Sequence, residues 1–227
     1  LLFFLERFIK TTKVYYGLFA SFVSGIIISI AHAQTMMYIF YFSLAYIIFR
    51  IKKTCLREII IFTISCIFIL FLGLGIGAVA LMPNLELLKF SERGGGTSYE
   101  FCTFHSWPFI NFINFFIPLF FGSIHYDVFT GGFDVGEFWG QYYESWGFCG
   151  NYIGILSLAL IIIAMFLSKN KFKFFLIIVG IVFIVIALGK YTPIFYIFYD
   201  FVPGFKYIKG HMRALYITTF CLALLAG

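Results

Sequence analysis

Ile59-Ile60-Ile61-Phe62-Thr63-Ile64-Ser65-Cys66-Ile67-Phe68-Ile69-Leu70-Phe71-Leu72-Gly73-Leu74-Gly75-Ile76-Gly77-Ala78-Val79-Ala80-Leu81 contains no charged residue. It exceeds the roughly 20 apolar residues that carry a helix across about 30 Å of hydrocarbon. A spanning strand would need only about ten residues and would alternate apolar with polar side chains, which this run does not do. Five further apolar stretches of helical length surround it, at residues 14–30, 36–49, 152–167, 172–188 and from 214 onward. The expected fold class is all-α: a polytopic transmembrane helical bundle of about six spans, forming a single domain over residues 1–227.

Composition agrees, because 62% of the residues are hydrophobic and 11% charged, against about 45–50% and about 25% in soluble domains. Too little polar material exists to cover a water-facing globule. The net charge of +6, in so apolar a chain, suits anionic lipid headgroups, so membrane lipids are expected partners and nucleic acid is not. The chain opens without Met and stops inside an apolar run, with no signal-peptide pattern at its start. A piece of a longer protein is expected.

Basic residues set the orientation. Arg7, Lys10 and Lys13, then Arg50, Lys52, Lys53 and Arg57, then Lys169, Lys171 and Lys173 fall in every second connection, which the positive-inside rule places in the cytoplasm. Those connections hold ten basic residues against two acidic ones, whereas the alternate connections hold six against eight. Loops 50–58 and 168–173 are therefore expected to be cytoplasmic, and 82–151 and 189–213 extracytoplasmic, in a multi-pass cell-membrane protein.

The long outer loop carries structure of its own. Ser106-Trp107-Pro108 reads as a helix start, with Ser as the cap, ahead of an apolar segment from Phe109 to Phe116 that would lie in the interface. Thr192-Pro193 opens a second short segment, residues 194–201, that Pro203-Gly204 ends before it can span, so it is expected to be interfacial or re-entrant. Trp107, Trp139, Trp146 and the many Tyr residues fit an aromatic belt at headgroup depth. Gly73, Gly75 and Gly77 are read by their alternate spacing, as close packing or a bend and not as a helix-pairing motif.

Few residues can carry chemistry. His32 and Gln34 stand at the outer junction of two spans, where a polar pair either bonds a helix turn or touches substrate. Glu86, Glu92 and Arg93 follow the third span; a carboxylate there could serve as a base or hold a divalent ion near a phosphate, or simply pair with Lys89 or Arg93. Lys206, Lys209, His211 and Arg213 form a basic cluster suited to a lipid-linked phosphate or to headgroup anchoring. The five cysteines show no C-x-x-C spacing, and only Cys102 and Cys149 fall in the outer loop, where they could pair. No P-loop, dinucleotide or hydrolase signature is present, and no cofactor is evident beyond a divalent metal at a carboxylate.

The order of short motifs resembles one family. It runs Ala31-His32-Ala33-Gln34, Met82-Pro83-Asn84-Leu85-Glu86-Leu87, Ser91 to Arg93, Tyr99-Glu100-Phe101, Trp107-Pro108, Phe116-Ile117-Pro118-Leu119-Phe120-Phe121-Gly122, Asn151-Tyr152-Ile153-Gly154, Gly189-Lys190-Tyr191-Thr192-Pro193 and Val202-Pro203-Gly204-Phe205 before Arg213. This resembles the YfhO family of bacterial membrane proteins, over nearly the whole chain. Ala31 stands where the family usually has Gly, and Gly210-His211-Met212-Arg213 replaces the more usual Arg-x-Pro-x-Arg. The family is similar to the GT-C integral-membrane glycosyltransferases. The resemblance implies a hexosyltransferase that moves a sugar from a polyprenyl-phosphate carrier to an outer-face cell-wall polymer or glycolipid acceptor, as in lipoteichoic acid glycosylation. It also implies a catalytic carboxylate upstream of Leu1. Arg213, Lys209 and Arg93 are then the phosphate-side candidates, with His32, Gln34 and Glu86 as the wall of the site. A transporter or lipid flippase, or a non-catalytic membrane scaffold, is the competing reading.

Overall fold

Among the described residues four helices build the first of two compact units, Leu1–Gly95: α1 (Leu2–Thr11), α2 (Val14–Ile30), α3 (Ala33–Arg50) and α4 (Leu56–Phe90). A computed structural model describes residues 1–50, 56–91, 95–117, 120, 125–127, 132–134 and 152–227. The span expected at 14–30 is α2 to the residue. α4 is longer than expected, because Pro83 lies inside it and the helix runs on through Leu85-Glu86-Leu87-Leu88, all good helix formers. The outer loop expected from residue 82 therefore begins with two more helical turns. At about 1.5 Å per residue, the 35 residues of α4 reach about 52 Å, well beyond a hydrocarbon core.

α2 and α4 meet along small residues. Gly17 faces Ile69, Ser24 faces Gly73, Gly25 faces Ile76 and Ile28 faces Gly77, so the two helices run parallel with backbones in close approach. Gly73 and Gly77 are four apart and on one face of α4. The close packing expected of these glycines is present, but it corrects the rejection of a helix-pairing spacing: Gly73 and Gly77 supply it four residues apart, and Gly75, which meets nothing within 4 Å, stands outside the seam.

The connection expected to carry Arg7, Lys10 and Lys13 is mostly helical as well. α1 buries Leu5 with Ala20, Ile47, Cys66 and Ile69, and packs Leu1, Phe4 and Phe8 over them. Its polar face presents Glu6, which accepts from Tyr46 Oη at 2.5 Å and from Arg50 Nε at 2.8 Å, and pairs with Lys10 at 2.9 Å. Burial alone would raise the Glu6 carboxyl, but Tyr46, Lys10 and Arg50 outweigh it and hold the group at about 2. Because that value lies below the ordinary 4.5, the contribution is complete above pH 4.5 and is lost as the pH falls toward 2. Glu6→Gln is expected to cost about 2 kcal/mol, since Arg50 keeps its charge and loses its counter-ion. Thermal unfolding in detergent should show a gap between wild type and variant at pH 7 that closes toward pH 2; a gap unchanged across that range would refute the assignment.

The second unit, Gly96–Gly227, holds α5 (Tyr99–Thr103), a 3-10 helix at Phe109–Phe115, a two-stranded antiparallel pairing of β1 (His125–Asp127) with β2 (Gly132–Asp134), α6 (Ile155–Leu167), α7 (Phe172–Leu188), α8 (Phe195–Phe201) and α9 (Leu215–Ala226). Apart from that pairing, every regular element among the described residues is helical, as the all-α class requires. The interfacial segment expected after Pro108 is 3-10 and not α, and its cap residue is Pro108. Ser106 is used elsewhere. α9 packs on both α6 and α7, with Thr218 Oγ1 donating to Gly180 O at 3.2 Å. In the turn between α6 and α7, Lys173 Nζ donates to Met165 O and Ser168 O at 2.6 Å, closing the last carbonyls of α6.

Among the described residues two helical stretches, Thr63–Phe90 and Phe172–Tyr191, are long and apolar enough to cross a membrane, and Val14–Ile30, Ile155–Leu167 and His211–Ala226 are shorter apolar helices. Only 22% of the apolar window in Thr63–Phe90 is buried, unlike the core helix of a soluble protein. Lys52, Lys53, Cys55, Glu92, Arg93, Trp139, Trp146 and Cys149 lie outside the described residues.

Candidate functional site

The end of α7 opposite its lysine-rich turn is closed by the segment that precedes the 3-10 helix. Gly189 adopts a φ of 47° that ends the helix, and Ser106 Oγ accepts from Lys190 N at 2.9 Å while donating to Thr103 O at 2.6 Å. Trp107 N donates to Ala187 O at 2.8 Å, and the indole is fully buried against Phe112 and Phe115. Residues 97–107 also join the chain before α9: Thr97 N and Oγ1 both donate to Lys206 O at 2.8 Å, and Gly210 N donates to Cys102 O at 3.2 Å. The start of α9 thus lies at the same end as the close of α7, and the two expected outer loops meet in one cap.

Within that cap the basic cluster does not act as a cluster. His211 is 1% exposed, stacked on Phe205 at 5.0 Å and against Phe195 at 4.8 Å. Burial pushes its imidazole down to about 3, with hydrogen bonds to the backbone of Ile208 and Phe205 working against the shift, so it is uncharged at neutral pH. Lys206 pairs with Asp200 at 3.4 Å and lies over the Tyr199 ring. Lys209 sits over Phe104 at 4.1 Å and Phe101 at 5.1 Å, a cation on two aromatic faces. Arg213 is exposed in the 3-10 turn that leads into α9. The 3-10 turn explains the split: at three residues per turn His211 and Arg213 leave the helix about 120° apart, so one is turned inward and the other out.

The other candidates belong to the first unit. Gln34 is buried at the start of α3, where its Nε2 donates to Tyr38 Oη at 3.0 Å and its N–H to His32 Nδ1 at 3.4 Å. That fits the helix-turn role. Glu86 is exposed on α4 and pairs with no described residue, Lys89 included. The seam register, Ile28 against Gly77, puts Glu86 about 10 Å further along α4 than the level where α2 ends, so it is not drawn toward the His32 junction. Arg93 is outside the described residues, as is Cys149. Cys102 is fully buried, with Sγ 2.9 Å from Thr97 Oγ1. Among the described residues no three His, Cys, Asp or Glu side chains gather as a metal site.

Sequence reasoning missed an aromatic stack. Tyr99 of α5 lies flat on Tyr196 of α8, with centroids 3.9 Å apart and planes 2° from parallel, and edge-on to Tyr199 at 5.5 Å. Tyr199 Oη donates to Thr97 O at 2.6 Å. The only local signal was the spacing of Tyr196 and Tyr199, which puts both on one helix face; their partner is about a hundred residues away. No family model, curated protein or solved structure matches the chain.

Proposed function

We propose that this chain is part of a six-span integral-membrane glycosyltransferase of the YfhO type, passing a sugar from a polyprenyl-phosphate carrier to a cell-wall polymer or glycolipid acceptor at the outer face. Support for the membrane setting comes from large apolar side chains left open on helix after helix, among them Ile30, Val79 and Phe166 at 80%, 87% and 82% exposure. Support for the orientation comes from the two units taken one at a time. In the first, Glu6 of α1 holds Arg50 of α3, so Arg7, Lys10 and Arg50 share an end, remote from His32 and Glu86. In the second, the turn bearing Lys169, Lys171 and Lys173 lies at one end of α7 and the cap at the other.

The observation that carries the functional reading is the cap itself. Hydrogen bonds between residues 97–107 and 189–210 bring aromatic faces, Glu100, Lys209 and Arg213 to one end of the second unit. A transferase of this class needs cations beside the departing lipid phosphate and an aromatic, water-facing floor for sugars. The test is transfer of labelled hexose from a polyprenyl-phosphate donor by the full-length protein in liposomes. Lipid translocation without transfer would favour the flippase reading.

The topology has its own check. A cysteine in place of Glu100, exposed in the cap, is expected to react with an impermeant maleimide on intact cells, and one in place of Lys171 to react only after lysis. The reverse pattern would invert the orientation.

A further inference from the structure

We propose that Tyr196, with Asp200 and Lys206 beside it, forms a pyranose-binding platform on the cap. The platform rests on the transferase reading only for the origin of the sugar. α8 is two-sided: Ile194, Ile197 and Phe201 are exposed along one face, while Tyr196, Tyr199 and Asp200 lie on the opposite one. The first face suits lipid and the second faces away from it.

Tyr196 is 52% exposed although Tyr99 covers one side of its ring, so the other side is open. An exposed tyrosine ordinarily samples several rotamers; this one is fixed by the flat contact with Tyr99, which Tyr199 and Phe195 hold in turn. A face already held in place costs little entropy to use. The negative face of the ring attracts the slightly positive axial C–H groups on one side of a pyranose. Asp200, one helical turn from Tyr196, is within reach of a sugar seated there, and its carboxylate accepts from two neighbouring hydroxyls. Lys206, 3.4 Å from Asp200, adds donors, and both side chains are about half exposed, at 44% for Lys206 and 52% for Asp200. A quaternary ammonium would need several open rings around it, and a purely apolar ligand would gain nothing from the ion pair. Ring face, carboxylate and ammonium together match a hexopyranose, belonging either to the lipid-linked donor or to the acceptor glycan.

The experiment is saturation-transfer NMR on the full-length protein in nanodiscs, with methyl β-D-glucopyranoside and methyl β-D-galactopyranoside at about 10 mM, the range that a single stacked residue implies. Transfer should be strongest to the C–H protons on one ring face. Tyr196→Ala should lower it at least about fivefold, Tyr196→Phe should keep it, and Asp200→Asn should lower it about threefold. No transfer to either glycoside in the wild type, or signals unchanged in Tyr196→Ala or Asp200→Asn, would overturn the platform. In the transfer assay, a raised KM of Tyr196→Ala for the lipid-linked donor assigns the donor sugar, and one for the acceptor assigns the acceptor glycan; unchanged KM for both removes the platform and leaves the transferase standing. Glycoside binding without any transfer does the opposite.

Discussion

Arg213→Ala is expected, on the transferase reading proposed above, to lower sugar transfer from a polyprenyl-phosphate donor by at least about tenfold, equivalent to roughly 1.4 kcal/mol of barrier. The cap narrows the choice of phosphate ligand. His211 carries no charge, Lys206 is engaged with Asp200, and Lys209 lies over two phenyl rings, whereas Arg213 is exposed in the turn that leads into α9. A guanidinium also offers two parallel donors to a phosphate, and those bonds strengthen as charge develops on the leaving group. Arg213→Lys should then recover only part of the loss, because an ammonium lacks the fork. Headgroup anchoring forecasts otherwise: a point charge near lipid is worth about 1 kcal/mol and Lys replaces Arg freely. Transfer rates of wild type, Arg213→Ala and Arg213→Lys, at matched membrane protein levels, separate the two. Full activity in Arg213→Ala would remove this residue from the site and pass the role to Lys209 or Arg93.

Helices that are apolar throughout were legible because each depends on its own composition: α2 and α7 begin and end where hydropathy alone places them. What reading along the chain obscured were features decided by a partner. α1 appeared as a charged connection because its apolar residues, Leu5 and Phe8, make sense only against Ala20, Ile47 and Ile69. Ser106 matches a helix-start pattern, but it closes the end of α7, about eighty residues downstream. His211 counted among the bases by residue type and is a neutral ring in an aromatic box by environment. Pro83 reads as a stop and is carried inside a helix. The candidate site suffered most, since the cap is built from residues 97–107 on 189–210, a pairing with no local signature.

The glycine seam carries the largest expected effect on stability, and it discriminates between neighbours one turn apart. A Cβ on Gly25 would stand 2.6 Å from Ile76 Cβ, one on Gly77 would stand 2.7 Å from Ile28 Cβ, and one on Gly73 would stand 2.8 Å from Ser24 Cβ. In each case the obstacle is the root of a side chain, which cannot swing away, so α2 and α4 must separate. In the proposed membrane setting no hydrophobic force draws helices together, and close packing supplies most of their association, so even a small separation is costly. Gly25→Ala and Gly77→Ala are each expected to destabilise the first unit by about 1–3 kcal/mol. Gly75→Ala, with nothing within 4 Å, should do the reverse and gain roughly 0.5–1 kcal/mol, because alanine is the better helix former. Thermal unfolding in detergent, followed by the fraction of protein that stays monodisperse, measures all three. A second-site change sharpens the test: Ile28→Gly removes both the Cβ and the Cγ2 that Gly77→Ala strikes, so the double variant should be more stable than the sum of the two single effects forecasts, the signature of direct contact. Equal effects at Gly75 and Gly77, or strict additivity at Ile28 and Gly77, would mean that the helices do not meet on this face.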